Sequence, residues 1–149
     1  ILSRQNCDFQ KRNGEQIALI NKGAYILKDT KKLDIIFIAT GSEVSIAMSA
    51  AKKLEEKGIG VRVISMLSNE IFDNQNSDYK EAILPSQIDK RISIEAGSTS
   101  SWYKYLGING KAIGINCFGE SAPGGKLLEY FGFTSQNIID HAEIMLQKK

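Results

Sequence analysis

The stretch LDIIFIATGSEVSIAMSAAKKLEEKGIGVRVISM, residues 33–66, changes its apolar period twice, and those changes decide the fold. It begins with an unbroken apolar run, Ile35–Ala39. That run is too short for a helix and lacks the alternation of a half-exposed strand, so it reads as a strand covered on both faces. Thr40, Gly41 and Ser42 then turn the chain. Beyond them Val44, Ala47, Ala51 and Leu54 recur at three- and four-residue spacing, while Lys52, Lys53, Glu55 and Glu56 mark a solvated side. Ser42 is placed to cap this helix, Glu43 suits the positive end of its dipole, and Gly58 supplies a left-handed stop. A second apolar run, residues 61–64, follows at once. Strand, helix and strand in such short order form a crossover unit, almost always right-handed, which lays both strands parallel in one sheet.

The remaining chain extends the same architecture. Residues 92–94 and 112–115 read as short strands, each before a Gly-containing loop, and residues 24–27 as a strand near the sheet edge. Helical patterns cover residues 78–84, stopped by Pro85, and residues 125–131. A last helix, capped by Thr134, gathers Ile138, Ile139, Ala142, Met145 and Leu146 on one face and ends in Lys148 and Lys149, which suit its negative pole. The expected fold is α/β: three layers, an open and mostly parallel sheet with helices on both faces. No repeat, low-complexity tract or interdomain linker interrupts it, so residues 1–149 are expected to form a single domain.

Composition narrows the function classes. A chain of 149 residues buries roughly two-thirds of its unfolded surface, enough for one sizeable core. Hydrophobic residues at 42% and charged residues at 24% are those of a globular protein and exclude a disordered or fibrous chain. The 19 basic and 17 acidic residues are interleaved, which argues against nucleic acid as a partner, since that needs a clustered basic face. No apolar run approaches the roughly 18 residues of a membrane span, and the first residues lack a signal peptide's pattern. Cys7 and Cys117 match no metal or redox spacing and read as reduced, structural thiols of a cytosolic protein.

Four places could carry chemistry. The Thr40-Gly41-Ser42 turn, between a strand's carboxyl end and a helix N-terminus, could hold a phosphate on free amides. It lacks the further glycines of a dinucleotide fingerprint and the lysine of a phosphate loop, so a tight capped turn is the stronger reading. In SIEAGSTSSWYKYLG, residues 93–107, Glu95 ends a strand ahead of Trp102, Tyr103 and Tyr105. It is either a site carboxylate or a cap for the next helix, with the aromatics as core or interface anchors; the structural reading leads. CFGESAPGGKLLEYFG, residues 117–132, is a Gly-rich loop with Glu120, Ser121 and Lys126, but Pro123 breaks any nucleophile elbow. His141, the single histidine, lies among polar neighbours in the last helix, which leaves little support for a triad or a His-based metal site. Arg4, flanked by Ser3, Gln5 and Asn6, has the planar fork that suits phosphate, although a surface ion pair is the commoner fate of such a residue.

The series LSRQN, KGAYIL, IIFIATGSEVSIA, VRVISM, ISIEAG, WYKYLG and FGESAPGGKLLEYFGFT, in this order and spacing, closely resembles the C-terminal third of the transketolase family over residues 2–146. Deoxyxylulose-phosphate synthase and the β-subunit of 2-oxo acid dehydrogenases have a similar terminal domain, but the motif series points to transketolase ahead of them. The resemblance implies a homodimeric, cytoplasmic transferase of the pentose phosphate pathway that moves a two-carbon ketol unit from a ketose phosphate to an aldose phosphate. It implies thiamine diphosphate and a divalent cation, Mg or Ca, held between the two upstream domains of opposing subunits. These residues themselves are therefore expected to bind neither cofactor nor metal and to contribute no catalytic residue, and no Gly-Asp-Gly motif occurs in the chain.

By the same resemblance Arg4 takes the place of the family arginine that helps hold the substrate's phosphate. Residues 1–23 would connect from the middle domain, the chain would begin where that domain hands over, and the piece alone would be inactive. Two other readings stay open: a stand-alone nucleotide- or phosphate-binding regulatory module built on the Thr40-Gly41-Ser42 turn, and a purely structural dimerisation domain.

Overall fold

The computed structural model describes residues 6–147. Five strands alternate with helices: β1 (Ala24–Lys28), β2 (Ile35–Ala39), β3 (Val61–Met66), β4 (Arg91–Ile94) and β5 (Lys111–Ile113). The helices are α1 (Gly14–Ala18), α2 (Glu43–Glu56), α3 (Asn69–Asp73), α4 (Ser77–Ile83), α5 (Tyr103–Leu106), α6 (Gly124–Tyr130) and α7 (Ser135–Gln147). The strands pair in the order β1-β3-β2-β4-β5. Four are parallel, and β1 closes one edge antiparallel to β3.

The apolar run of β2 sits at the centre, its register running from Ile35 opposite Val61 to Ala39 opposite Ser65 on one side. On the other side Ile36 faces Arg91 and Ala39 faces Ile94. All five β2 residues are buried, as a strand with helices over both faces requires. Alternate side chains go to opposite cores. Ile35, Phe37 and Ala39 join Val44, Ala47, Ala51 and Leu54 of α2 and Ile138, Ile139 and Ala142 of α7. Ile36 and Ile38 join Phe72, Ile83, Trp102, Tyr105 and Leu106 on the far side. The expected three-layer, mostly parallel architecture is what forms.

Helix α2 ends as read. Gly58 has φ +80°, its N–H donates to the Glu55 carbonyl at 2.8 Å, and the Ile59 N–H donates to the Leu54 carbonyl at 3.1 Å, which ties off the last turn. Thr134 caps α7 by accepting the Asn137 N–H at 3.2 Å. Lys148 and Lys149 lie outside the described residues.

Differences from the sequence reading lie at strand ends and in short helices. Strand β3 continues to Met66 because β1 pairs along it as far as Ala24 opposite Met66. Strand β5 stops at Ile113, short of the expected residue 115. Gly114 there presses against the loop after β4, so that a Cβ on it would sit 2.6 Å from the Gly97 carbonyl oxygen. Helices α1, α3 and α5 went unread because five or four residues are too few to display a 3.6 period.

Candidate functional site

The chain leaves β2 toward the α2 layer and leaves neighbouring β4 toward the α5 layer, so the carboxyl ends of these two strands form the switch point where open α/β sheets place ligands. Two sequence candidates meet here, the Thr40-Gly41-Ser42 turn and Glu95. Ser42 occupies the N-cap position of α2 but does not cap with its side chain: it makes no bond to a helix amide. Its hydroxyl donates instead to Glu43 Oε1 at 2.7 Å. Glu43 is only 5% exposed, so the positive end of α2 already faces a carboxylate of its own chain. A phosphate would meet like charge there. The turn is a tight connection, and the reading of it as a phosphate grip finds no support.

Glu95 does not cap the following helix either. Its Oε2 accepts the indole N–H of Trp102 at 2.6 Å, and Trp102 is 3% exposed beneath it. One buried donor is thereby satisfied by a half-buried carboxylate: the role of Glu95 is structural, but as the partner of Trp102 and not as the expected cap. The following residues are tied down as well: Asn116 Oδ1 accepts the Thr99 N–H at 3.1 Å, and Asn116 Nδ2 donates to Thr99 Oγ1 at 2.9 Å. Tyr105 is core and Tyr103 is exposed.

The other candidates disperse. Glu120, Ser121 and Lys126 stand exposed on the loop and helix after β5, and no hydrogen bond joins Ser121 to His141. His141 is half-buried on α7, its pKa held below the ordinary value by burial and by the Lys111 charge, with Asp140 partly opposing. That keeps it neutral near pH 7. Both cysteines are exposed, so they are not the packed structural thiols that their spacing suggested.

A cavity of about 370 Å³ opens beside Asp73, Lys80, Arg91, Lys104 and Tyr105, but its polar groups face one another. Arg91 donates to the carbonyls of Ile88, Tyr105, Leu84 and Pro85. Lys104 pairs with Asp73, and the Tyr105 hydroxyl, pushed up to about 12 by burial and by Asp73, donates to the same carboxylate at 2.8 Å. This network holds α3, α4 and α5 together.

Arg4 lies outside the described residues. The chain after it, residues 6–13, has no regular structure, and within it only Gln10 and Arg12 are partly buried. Arg12 Nε donates to the hydroxyl of Tyr25 on β1, whose side chain is wholly buried, and Arg12 Nη1 donates to the Gln10 carbonyl at 2.8 Å. Asn13 and Gln16 then close a reciprocal cap on α1, at 2.8 and 3.0 Å, and Gln16 Nε2 donates to the carbonyls of Ile26 and Leu27 at 2.9 Å each. Asn13 and Gln16, three residues apart, are a readable cap signature; Arg12 leaves no such signal, because its partner is thirteen residues away.

Among the described residues no three or more His, Cys, Asp or Glu side chains are grouped to hold a metal ion. The head of α2, at the switch point, already faces the Glu43 carboxylate and is unsuited to a diphosphate. No described helix is long and apolar enough to cross a membrane.

A family model described as the transketolase-like C-terminal domain matches residues 23–134. The chain is 55% identical over 148 residues, 99% of its length, to a transketolase of Buchnera aphidicola subsp. Schizaphis graminum, and spans 22% of that protein. It superposes on a solved transketolase of Leishmania mexicana with a TM-score of 0.87 at 36% identity, over 97% of this chain and 21% of the other. A transketolase of Pichia stipitis in complex with sedoheptulose-7-phosphate aligns with a TM-score of 0.81 at 34% identity, over 93% of this chain and 20% of that one.

Proposed function

Because this chain belongs to the transketolase family and matches its C-terminal domain, we propose that it serves as that domain of an enzyme transferring a two-carbon ketol unit from a ketose phosphate to an aldose phosphate. The carrying observation is the identity of 50 to 55% with transketolases over nearly the whole chain, of whose length it spans about 22%. In this reading residues 1–23 are the connection from the preceding domain, and Arg4 is the ligand of the substrate's phosphate. The enzyme is a cytoplasmic homodimer of the pentose phosphate pathway. When bound, thiamine diphosphate and its Mg or Ca ion supply the carbanion chemistry, and they belong to parts of the enzyme beyond this chain. The residues here bind and orient: a guanidinium fork holding the phosphate fixes the far end of the sugar and converts binding energy into alignment. The chain alone is inactive, since a phosphate would meet one cation without its companions.

The test is Arg4→Ala in the complete enzyme. Charge-assisted hydrogen bonds contribute about 1.5–3 kcal/mol, so KM for phosphorylated ketoses should rise roughly ten- to hundredfold. Cofactor affinity should be unchanged. An unaltered KM would remove Arg4 from the site.

A further inference from the structure

We propose that the carboxyl end of the sheet is an interaction face, apolar at Ile20, Leu67 and Ile71 and acidic around them, onto which the preceding domain of the parent enzyme docks with a basic surface. The inference rests on the reading of this chain as the C-terminal domain of that enzyme.

The apolar group is built by two segments that meet where β1 begins and β3 ends. The Leu67 and Ser68 amides both donate to the Gly23 carbonyl, at 2.7 and 3.0 Å. Helix α3 then passes so close that a Cβ on Gly23, whose φ is +86°, would stand 2.5 Å from the Phe72 nitrogen and 3.0 Å from Ile71 Cβ. The turn at Ile20–Lys22 is thereby packed against α3. Phe72 enters the core, whereas Leu67, Ile71 and Ile20 stay 53%, 46% and 37% exposed. Neighbouring apolar side chains left wet at one end of a sheet mark a surface for a partner. Phe118, almost fully exposed on the segment after β5, belongs to the same end.

Charge identifies the kind of partner. The segments leaving the four parallel strands, residues 40–43, 67–70, 95–101 and 114–123, carry Glu43, Glu70, Glu95 and Glu120 and neither lysine nor arginine. Among the described residues none of these carboxylates is in an ion pair. Three of them accept from neutral donors, the Ser42 and Ser68 hydroxyls and the Trp102 indole. In residues 19–23 only Lys22 opposes them. The opposite end of the sheet has Lys31, Lys32, Lys57 and Lys90 among its carboxylates, the mixed charge of a solvated surface. A second copy placed on this face by a two-fold axis would set acid against acid, so the complement is a surface with Lys and Arg around an apolar centre. The connection selects the occupant. Because β1 is antiparallel, residues 19–23 bring the chain to the sheet at this same end, with Ala24 opposite Met66. The chain spans 22% of the transketolases it matches, so in the parent a much larger body is tethered beside this face at high effective concentration.

The experiment labels single introduced cysteines with a maleimide in the complete enzyme, the modified position being read by mass spectrometry of its peptides. Leu67→Cys and Ile71→Cys probe the face, and Ile108→Cys, at the opposite end and 98% exposed, is the reference. Exposure within this domain alone accounts for about a twofold difference in rate, so docking is expected to slow labelling at positions 67 and 71 by roughly tenfold or more relative to position 108. Glu70→Lys added to Leu67→Cys is expected to speed labelling at position 67 about threefold or more, by setting like charge against the basic surface. Hydroxyl-radical footprinting of the unaltered enzyme reads Leu67 and Ile71 without any substitution, so the inference stays refutable if a variant folds poorly. Fast labelling at both positions in an active enzyme overturns the inference alone. So does slow labelling that Glu70→Lys leaves unchanged, which removes the basic surface, or slow labelling that becomes fast on dilution, which puts a second copy on the face. A complete enzyme that transfers no ketol unit between sugar phosphates removes the reading of function, and the inference with it.

Discussion

Replacing Glu95 with Ala tests whether the carboxylate at the end of β4 is committed to the fold or spare for a ligand. Trp102 is 3% exposed and its N–H ends on Glu95 Oε2 at 2.6 Å. Truncation leaves that donor buried with no acceptor, a loss of about 1–3 kcal/mol, and because the lost acceptor is charged we take about 2 kcal/mol. In a domain of this size each kcal/mol moves Tm by about 2–4 °C, so the expected drop is about 4–8 °C. Glu95→Gln keeps an acceptor oxygen and should cost less than about 1 kcal/mol. Trp102 is the single tryptophan, so urea unfolding followed by its emission reads the same contact that the mutation breaks. In a Trp102→Phe background, followed by circular dichroism, Glu95→Ala should be nearly silent, which yields a coupling of about 1–2 kcal/mol. If Glu95→Ala is within about 0.5 kcal/mol of the parent in both backgrounds, the hydrogen bond does not hold the indole. Glu95 would then return as a candidate site group at the switch point.

Leu54→Asp should abolish cooperative unfolding, because Leu54 is wholly buried between α2 and the sheet and an unpaired charge there costs several kcal/mol; a normal melt by circular dichroism would mean the buried face of α2 is misassigned. Asp34 accepts the Gly60 N–H at 2.8 Å, and that amide first, then Lys32 and Lys90 against the opposing effect of burial, hold its carboxyl below the ordinary carboxylate value. A depressed folded pKa stabilises above the unfolded value, about 4, and the contribution disappears as pH falls through the folded one. Asp34→Asn should therefore lower the urea midpoint at pH 7 and have much less effect near pH 3; an equal loss at both would show that the charge is not what matters.

Much of the architecture was legible because it rests on local periodicity. The five-residue apolar run of β2, the 3.6 spacing of α2 with Gly58 behind it, and the Thr134 cap of α7 each carry their meaning within a few residues. Short elements were not legible for the same reason: α5 has four residues, and its place is set by Tyr105 and Leu106 entering a core built from β2, α3 and α4. Ser42 shows the limit of a local rule. Its position as N-cap was readable, yet its backbone is already helical, φ −67° and ψ −27°, where a capping side chain needs an extended one, so its hydroxyl accepts no helix amide and donates to Glu43.

The sequence by itself determined the class of fold, through the periods of its apolar residues, and the family, through a series of motifs spread from Leu2 to Leu146. It also placed Arg4 within the first of those motifs, LSRQN. Only the tertiary structure decided that Glu95 serves Trp102, that the Tyr105 hydroxyl ends on Asp73, and that Arg12 reaches Tyr25. The physical reason is the range of the interactions. Periodicity and turn chemistry act between residues a few positions apart, whereas the partner of a polar side chain is chosen by whichever distant segment the packed sheet and its helices bring within hydrogen-bonding reach.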